Sequence, residues 1–363
     1  MLIFLFVLLV VGYLAERWSL DHGLDGVTYS LTPDRLTVDP GETFSITTRI
    51  GNRKRMPVSF LKVQELLPRD IKLSDEEGLT VRRDEENARL TSTLYLGGRK
   101  TSERTLEATL PRRGRYFFRG CTLYGGDFLG LSQDVQYVTQ NAEVVVCPAR
   151  CETEEVTSVL GGFLGDISVQ RFILEDPVLT VGFREYTGRE PFRSISWAQS
   201  ARAGELMVKQ YDYTAEPSVT VILNVEHKGE LTHQIADQIE ECYSMARTVC
   251  ETLEDSGIRY DFLTNATAAG ALGVWSAVEE GLGARHLGTV LEGLGRATYD
   301  KTAPFDRLIA RSMRRTDAGR GRIIITPALL PEHRLALDKL QTLRGGAIQV
   351  LTPASAAEEE VPA

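Results

Sequence analysis

The sequence predicts a multidomain chain: an N-terminal membrane helix, an antiparallel β-sandwich of immunoglobulin-like type, and an α/β domain on a parallel sheet. Three observations predict it. Met1 to Ala15 is an uncharged run rich in Leu, Val, Phe and Ile. From Gly26 to about Pro148 apolar residues alternate with polar ones between turn residues, the period of half-buried strands. From Ser218 continuous apolar runs alternate with segments of helical spacing, as in a parallel sheet covered on both faces.

The first run is read as an uncleaved anchor over residues 1–20. Fifteen helical residues span roughly 22 Å, short of a hydrocarbon core of roughly 30 Å. Trp18 and Leu20, beyond Glu16-Arg17, extend it, and Tyr13 and Trp18 suit the interface. A secretory signal peptide is the alternative. It requires a positive leading region and a small-residue cleavage site, and the run has neither.

Within 26–148, strands are expected at 28–36, 43–50, 58–66, 88–96, 104–110, 114–123 and 142–147. Asp39-Pro40-Gly41, Gly51-Asn52 and Gly97-Gly98 supply the turns, and seven short strands without helical period suggest the sandwich. Arg112, Arg113, Arg115 and Arg119 are candidates to face anionic lipid or a partner near the membrane. Residues 149–217 are read as a connector. Its Gly161–Asp166 run, GGFLGD, lacks the GxxxxGK[ST] pattern of a phosphate loop. In 218–351, Val219 to Asn224 reads as a strand buried on both faces. Leu231 to Ser256 then repeats apolar residues three and four apart, and Gly257 ends the helix. Further helices are expected at 284–296, 305–315 and 331–343, with strands at 258–263, 322–326 and 347–351. The tail 352–363, rich in Ala and Glu, carries no folding pattern.

A formal net charge of -9 argues against nucleic acid as a partner. The cysteines at 121, 147, 151, 242 and 250 have no zinc-site spacing and read as reduced thiols of a reducing, cytoplasmic compartment. No histidine sits in HExxH and no serine in GxSxG.

Phe183 to Lys209 concentrates the unusual chemistry, crowding Arg, Glu, Tyr and Trp without an apolar stripe opposite. Arg184, Tyr186, Gly188, Arg193, Ile195, Trp197, Ser200, Ala201, Arg202, Leu206 and Val208 follow in the order of a family signature. The string resembles bacterial domain-of-unknown-function family fifty-eight, whose members are encoded beside MoxR-type AAA+ ATPases. Arg189 replaces the family's usual Asp, and Ser196 its His. Arg112 to Leu131 resembles a second landmark of the same family, ending in an Asp-Phe-x-Gly loop at Asp127.

With no catalytic constellation and an apolar N-terminus, the chain is read as a non-catalytic scaffold or adaptor, single-pass in the cell membrane. The resemblance implies that its body lies in the cytoplasm. It implies a MoxR-type ATPase as partner, in assembly or maturation of membrane or envelope complexes. The candidate binding residues are Arg184, Tyr186, Arg193, Trp197, Ser200 and Arg202. Either they clamp the connector internally, with Glu185, Glu190, Glu205 or Asp212 as partners, or they form a docking surface. The alternative is a hydrolase or transferase in which Arg184, Arg193 and Arg202 converge on an anionic substrate without acidic partners.

The family's C-terminal domain is similar to a von Willebrand A domain, which holds magnesium through Asp-x-Ser-x-Ser after its first strand. Here that loop is Asn224, Val225, Glu226, His227 and Lys228. An amide and an ammonium stand where carboxylate and hydroxyl ligands belong. No metal and no cofactor are expected; a different site there would be made by Glu226, His227 and Thr326.

Overall fold

The structure, a computed structural model, describes residues 23–74, 79–126, 133–151, 154–171, 176–188, 190–212, 218–270, 276–314, 320–344 and 347–353. The chain divides into two compact units, Met1–Ala149 and Arg150–Ala363.

The first unit is built from β1 (Val27–Pro33), β2 (Thr37–Val38), β3 (Thr43–Asn52), β4 (Val58–Pro68), β5 (Lys72–Leu73), β6 (Thr80–Arg83), β7 (Asn87–Leu96), β8 (Thr101–Thr109), β9 (Gly114–Gly126) and β10 (Gln133–Val146). One sheet has the order β1-β3-β8-β5, the other β2-β10-β9-β4-β7-β6. Alternate residues point inward. Phe44, Ile46 and Ile50 of β3 share one buried cluster with Leu61, Val63 and Leu67 of β4, so the two sheets face each other. Pro33, without an N–H, ends β1. The next residue, Asp34, fixes the corner by accepting from Ser45 N and donating to Ser45 O, both at 2.9 Å. The chain then changes sheets, and β2 joins β10 in parallel. In β10 a bulge falls between Thr139 and Ala142, facing Gly120 of β9. That glycine has φ +105, and a Cβ there would lie 2.0 Å from Val138 O, so only glycine fits.

Among the described residues of the first unit, one carboxylate lies buried between the sheets. Glu65 of β4, 1 % exposed, accepts from Tyr29 Oη at 3.0 Å and Thr48 Oγ1 at 2.7 Å, and pairs with Arg104. The three partners stand on β1, β3 and β8 of the facing sheet. Burial, then the neighbouring Glu65 charge, push the Tyr29 phenol far above its usual range.

The second unit opens with α1 (Glu154–Arg171). β11 (Asp176–Glu185) and β12 (Met207–Asp212) form a separate two-stranded sheet, and between them lie a 3-10 turn (Phe192–Ser194) and α2 (Trp197–Ala203). The rest is β13 (Ser218–Leu223), α3 (His233–Asp255), β14 (Arg259–Thr264), β15 (Ala266–Ala268), β16 (Ala277–Gly281), α4 (Ala284–Arg296), β17 (Ala297–Lys301), α5 (Phe305–Ser312), β18 (Gly321–Ile325), α6 (Pro331–Arg344) and β19 (Ile348–Leu351). The main sheet has the order β16-β14-β13-β18-β19. Its pairs are parallel except at the β16 edge, which is antiparallel.

The central strands are buried on both faces. Val219, Val221 and Leu223 pack with α1, α3 and α4, while Ile222, Leu263 and Ile324 pack with α5 and α6. At the amino end of these strands Arg320 donates to Asp261 Oδ1 at 2.5 Å and to Thr220 Oγ1 at 2.9 Å. Thr220 itself donates to the same Asp261 oxygen at 2.8 Å.

Several expectations are corrected. The described residues are mostly β, 44 % strand against 28 % helix, spread over several sheets, so a membrane helix followed by a sandwich and a purely parallel α/β sheet does not describe them. None of their helices is long and apolar enough to cross a membrane. The longest, α3, carries Asp237, Glu240, Glu241, Arg247, Glu251 and Glu254 along its length. Residues 1–22, on which the anchor was placed, lie outside the described residues, as do the Asp127 loop and the tail from 354. A single-pass membrane location is therefore unsupported and is set aside. The GGFLGD run is not a loop: it lies inside α1, whose Val156, Leu160 and Phe163 enter the core.

Replacing Glu65 by Ala leaves the buried end of Arg104 and two hydroxyls without their acceptor. We expect a loss of about 3 kcal/mol in urea denaturation followed by circular dichroism, against about 1 kcal/mol for Tyr29→Phe. Equal effects of the two substitutions would show that the ion pair adds nothing.

Candidate functional site

The signature folds as the two strands β11 and β12 and the loop between them. Arg184 pairs with Val208 and Glu185 with Met207 across the ladder. The loop then returns along β12: Ile195 bridges Val208, Ser196 N donates to Met207 O at 2.8 Å, and Tyr186 N donates to Leu206 O at 2.8 Å. Ser200 is the pin. Its Oγ accepts from Met207 N at 2.8 Å and donates to Ser196 O at 2.9 Å. Gly204, at φ +79, ends α2, and its N–H donates to Ser200 O at 3.0 Å.

Glu190 holds the other half of the loop. It pairs with Arg184 at 2.6 Å and accepts from Thr187 N and Oγ1 at 3.1 and 2.9 Å. Desolvation raises its carboxyl, but the Thr187 and Arg184 donors outweigh that and bring it down to about 2. The Tyr186 ring lies 6.2 Å from that of Phe192.

The six candidate residues thus divide. Arg184, Tyr186 and Ser200 hold the loop. Trp197, 66 % exposed, projects from it with Arg193 and Arg202, which are exposed and have no ion-pair partner among the described residues. Phe192, 73 % exposed, belongs with them and was missed by sequence reasoning, although it adjoins Arg193. Arg184 meets an acidic partner, so the arrangement differs from a converging, acid-free arginine site.

At the carboxyl edge of the main sheet, where the loop from Asn224 to Lys228 lies, side chains bond to one another. Asn224, fully buried, donates from Nδ2 to Thr326 Oγ1 at 2.9 Å. Its Oδ1 accepts from Asn265 Nδ2 at 2.7 Å and from Glu226 N at 3.1 Å. Asn265 also donates to Ala303 O, and Thr326 to Ala328 O, both at 3.0 Å. Among the described residues no three His, Cys, Asp or Glu side chains gather as metal ligands would.

Glu226 reaches across to the next loops. Its carboxylate accepts from Lys301 Nζ at 2.5 Å and from Phe305 N, at the start of α5, at 2.7 Å. His333 Nε2 of α6 lies 3.4 Å away. Burial raises the Glu226 carboxyl, but the Lys301 and Phe305 hydrogen bonds, the Lys301 charge and His333 outweigh it and hold it below its ordinary value. Of the residues left for a different site, Glu226 and Thr326 enter these networks. His227 joins neither, and its Nδ1 has no hydrogen-bond partner among the described residues.

Ser200→Ala leaves Met207 N without its acceptor. The loop is expected to weaken by about 1 kcal/mol, read as faster hydrogen exchange at Met207, with the α3 amides unchanged. Because the folded Glu226 value is depressed, its contribution to stability is present above the ordinary carboxylate value of ~4.3 and is lost as pH falls through the lower folded value. The melting difference between wild type and Glu226→Gln should therefore shrink between about pH 6 and about pH 3. A difference independent of pH over that range would show that charge plays no part.

No protein-family profile matches the chain. Over 326 residues it is 17 % identical to the uncharacterized protein YeaD of Bacillus subtilis (strain 168), covering 88 % of this chain and 73 % of that one. Among solved structures it is similar to the cohesin module of a Clostridium perfringens family 33 glycoside hydrolase, with TM-score 0.24 and 16 % identity over 33 % of this chain and 96 % of the module. A type II cohesin domain from the cellulosome of Acetivibrio cellulolyticus gives TM-score 0.25 and 11 % identity over 32 % of this chain and 94 % of the domain. At such scores neither structure carries an argument about fold or function.

Proposed function

We propose that this chain is a non-catalytic scaffold or adaptor that docks a protein partner through the loop between β11 and β12. The supporting observation is the pairing of two exposed aromatic side chains, Phe192 and Trp197, with the exposed guanidinium groups of Arg193 and Arg202. Tryptophan and arginine are the side chains that anchor interfaces. The loop that presents them is held by Ser200 and Glu190, so little ordering entropy remains to be lost on binding. The resemblance of Arg184 to Val208 to family fifty-eight supports a MoxR-type AAA+ ATPase as the partner, in assembly or maturation of membrane or envelope complexes.

The test is affinity between the purified chain and the purified MoxR-type ATPase of the same genome. The Arg193→Ala, Trp197→Ala double variant should bind at least about tenfold more weakly while melting as the wild type does. Unchanged affinity in a normally folded variant removes the docking role from this loop. Absence of binding by the wild type removes the ATPase as partner.

A further inference from the structure

The carboxyl edge of the main sheet holds three donors that converge on a single carboxylate, and each has its own reason to seek an anion. Phe305 N belongs to the first residue of α5, and the preceding Pro304 offers no side-chain cap. Its N–H has no acceptor within the helix, lies at the positive end of the peptide dipoles, and donates to Glu226. Lys301 Nζ brings a full charge. His333, 3 % exposed, points Nε2 at the same spot.

The histidine's other nitrogen lies 3.4 Å from Leu330 N and 3.3 Å from Ala328 O. Of the two neutral tautomers, the one whose Nδ1 accepts from Leu330 N carries its proton on Nε2. Nδ1–H donating to Ala328 O would instead turn a bare lone pair toward the Glu226 carboxylate, so the contact with Glu226 selects the first. Nε2 lies 3.4 Å from Glu226 Oε2, an ion-pair distance at which no hydrogen bond is formed. Nε2 is thus a buried donor without a satisfied partner. Tethered through its own backbone, Glu226 satisfies Lys301 and Phe305 and stops short of His333. Lys301 is 44 % and Glu226 15 % exposed, so the site has a side open to solvent. Open α/β sheets take ligands at this edge.

We propose that Lys301, Phe305 N and His333 form a binding site for small carboxylate anions, which Glu226 occupies in cis. A free carboxylate enters when Glu226 swings out, and it settles closer to His333 than the tethered one does. The inference does not depend on the docking role of the β11–β12 loop.

The test uses the full chain with Glu226→Ala, melted in sodium acetate, in sodium phosphate, and in sodium chloride at matched ionic strength. The variant is expected to melt below wild type, and acetate should restore most of the loss saturably, with a roughly millimolar midpoint. Chloride should not restore it, and wild type should respond to neither salt. Adding Lys301→Met to Glu226→Ala should abolish the acetate effect. Equal restoration by chloride, or restoration that survives Lys301→Met, overturns the site. Restoration by phosphate but not by acetate overturns the carboxylate assignment. Should Glu226→Ala fail to fold, Glu226→Ser keeps a polar side chain too short to reach Lys301 Nζ and Phe305 N. The Phe305 amide resonance in that variant should then shift on acetate titration, and a resonance unmoved up to about 100 mM overturns the proposal.

Discussion

The Asn224 carboxamide is the interaction on which the carboxyl edge of the main sheet depends. Parallel strands end together there, and each leaves polar groups that the sheet no longer pairs. Asn224 has a donor and an acceptor on one rigid group, and it uses both: the donor on Thr326, after β18, and the acceptor on Asn265, after β14, and on Glu226 N. A carboxylate at this position would lack the donor for Thr326. The amide therefore suits a closed, self-bonded edge, where a carboxylate suits one that receives a cation. The bond to Glu226 N fixes the start of that residue's reach toward Lys301 and α5.

The second unit presents two unlike surfaces. At the sheet edge most polar groups are matched within the chain, and among the described residues two imidazole nitrogens there, His227 Nδ1 and His333 Nε2, are left without a hydrogen bond. In the β11–β12 loop the hydrogen bonds are spent on holding the backbone, while the large side chains stay in water. Nearly the whole exposed chemistry of that loop comes from residues within fifteen positions of each other, so it is a local structure with a local purpose.

That difference explains how much of each site was legible in the sequence. The loop could be found because its residues are consecutive, although its division into Ser200 and Glu190 as supports and Trp197 and Phe192 as protrusions needed the backbone path. The sheet edge could be found only in part. Asn224 and Glu226 follow a readable strand, but Lys301 lies 75 residues from Glu226 and His333 stands on another helix. Neither has a local pattern that marks it. Strands such as β3 and β4 were legible because one face is buried and the other is not, and α3 because its apolar residues recur three and four apart. α1 was not, because Gly161, Gly162 and Gly165 each cost about 1 kcal/mol in a helix. Packing of Val156, Leu160 and Phe163 on the sheet overrides that preference. The first half of β10 was missed for a related reason: Tyr137 and its neighbours face water, so the alternation is faint.

The buried Glu65 has a further consequence for how the first unit chooses among possible strand alignments. Side chains of a strand alternate between faces, so sliding β4 by a single residue would turn Glu65 outward and bring Gln64 or Leu66 beneath Arg104. Purely apolar inner faces would tolerate such a slip at little cost, since one aliphatic side chain replaces another. A guanidinium stripped of its carboxylate does not. The ion pair therefore works as a proofreading mark between the two sheets, penalising misaligned sandwiches more than it strengthens the correct one.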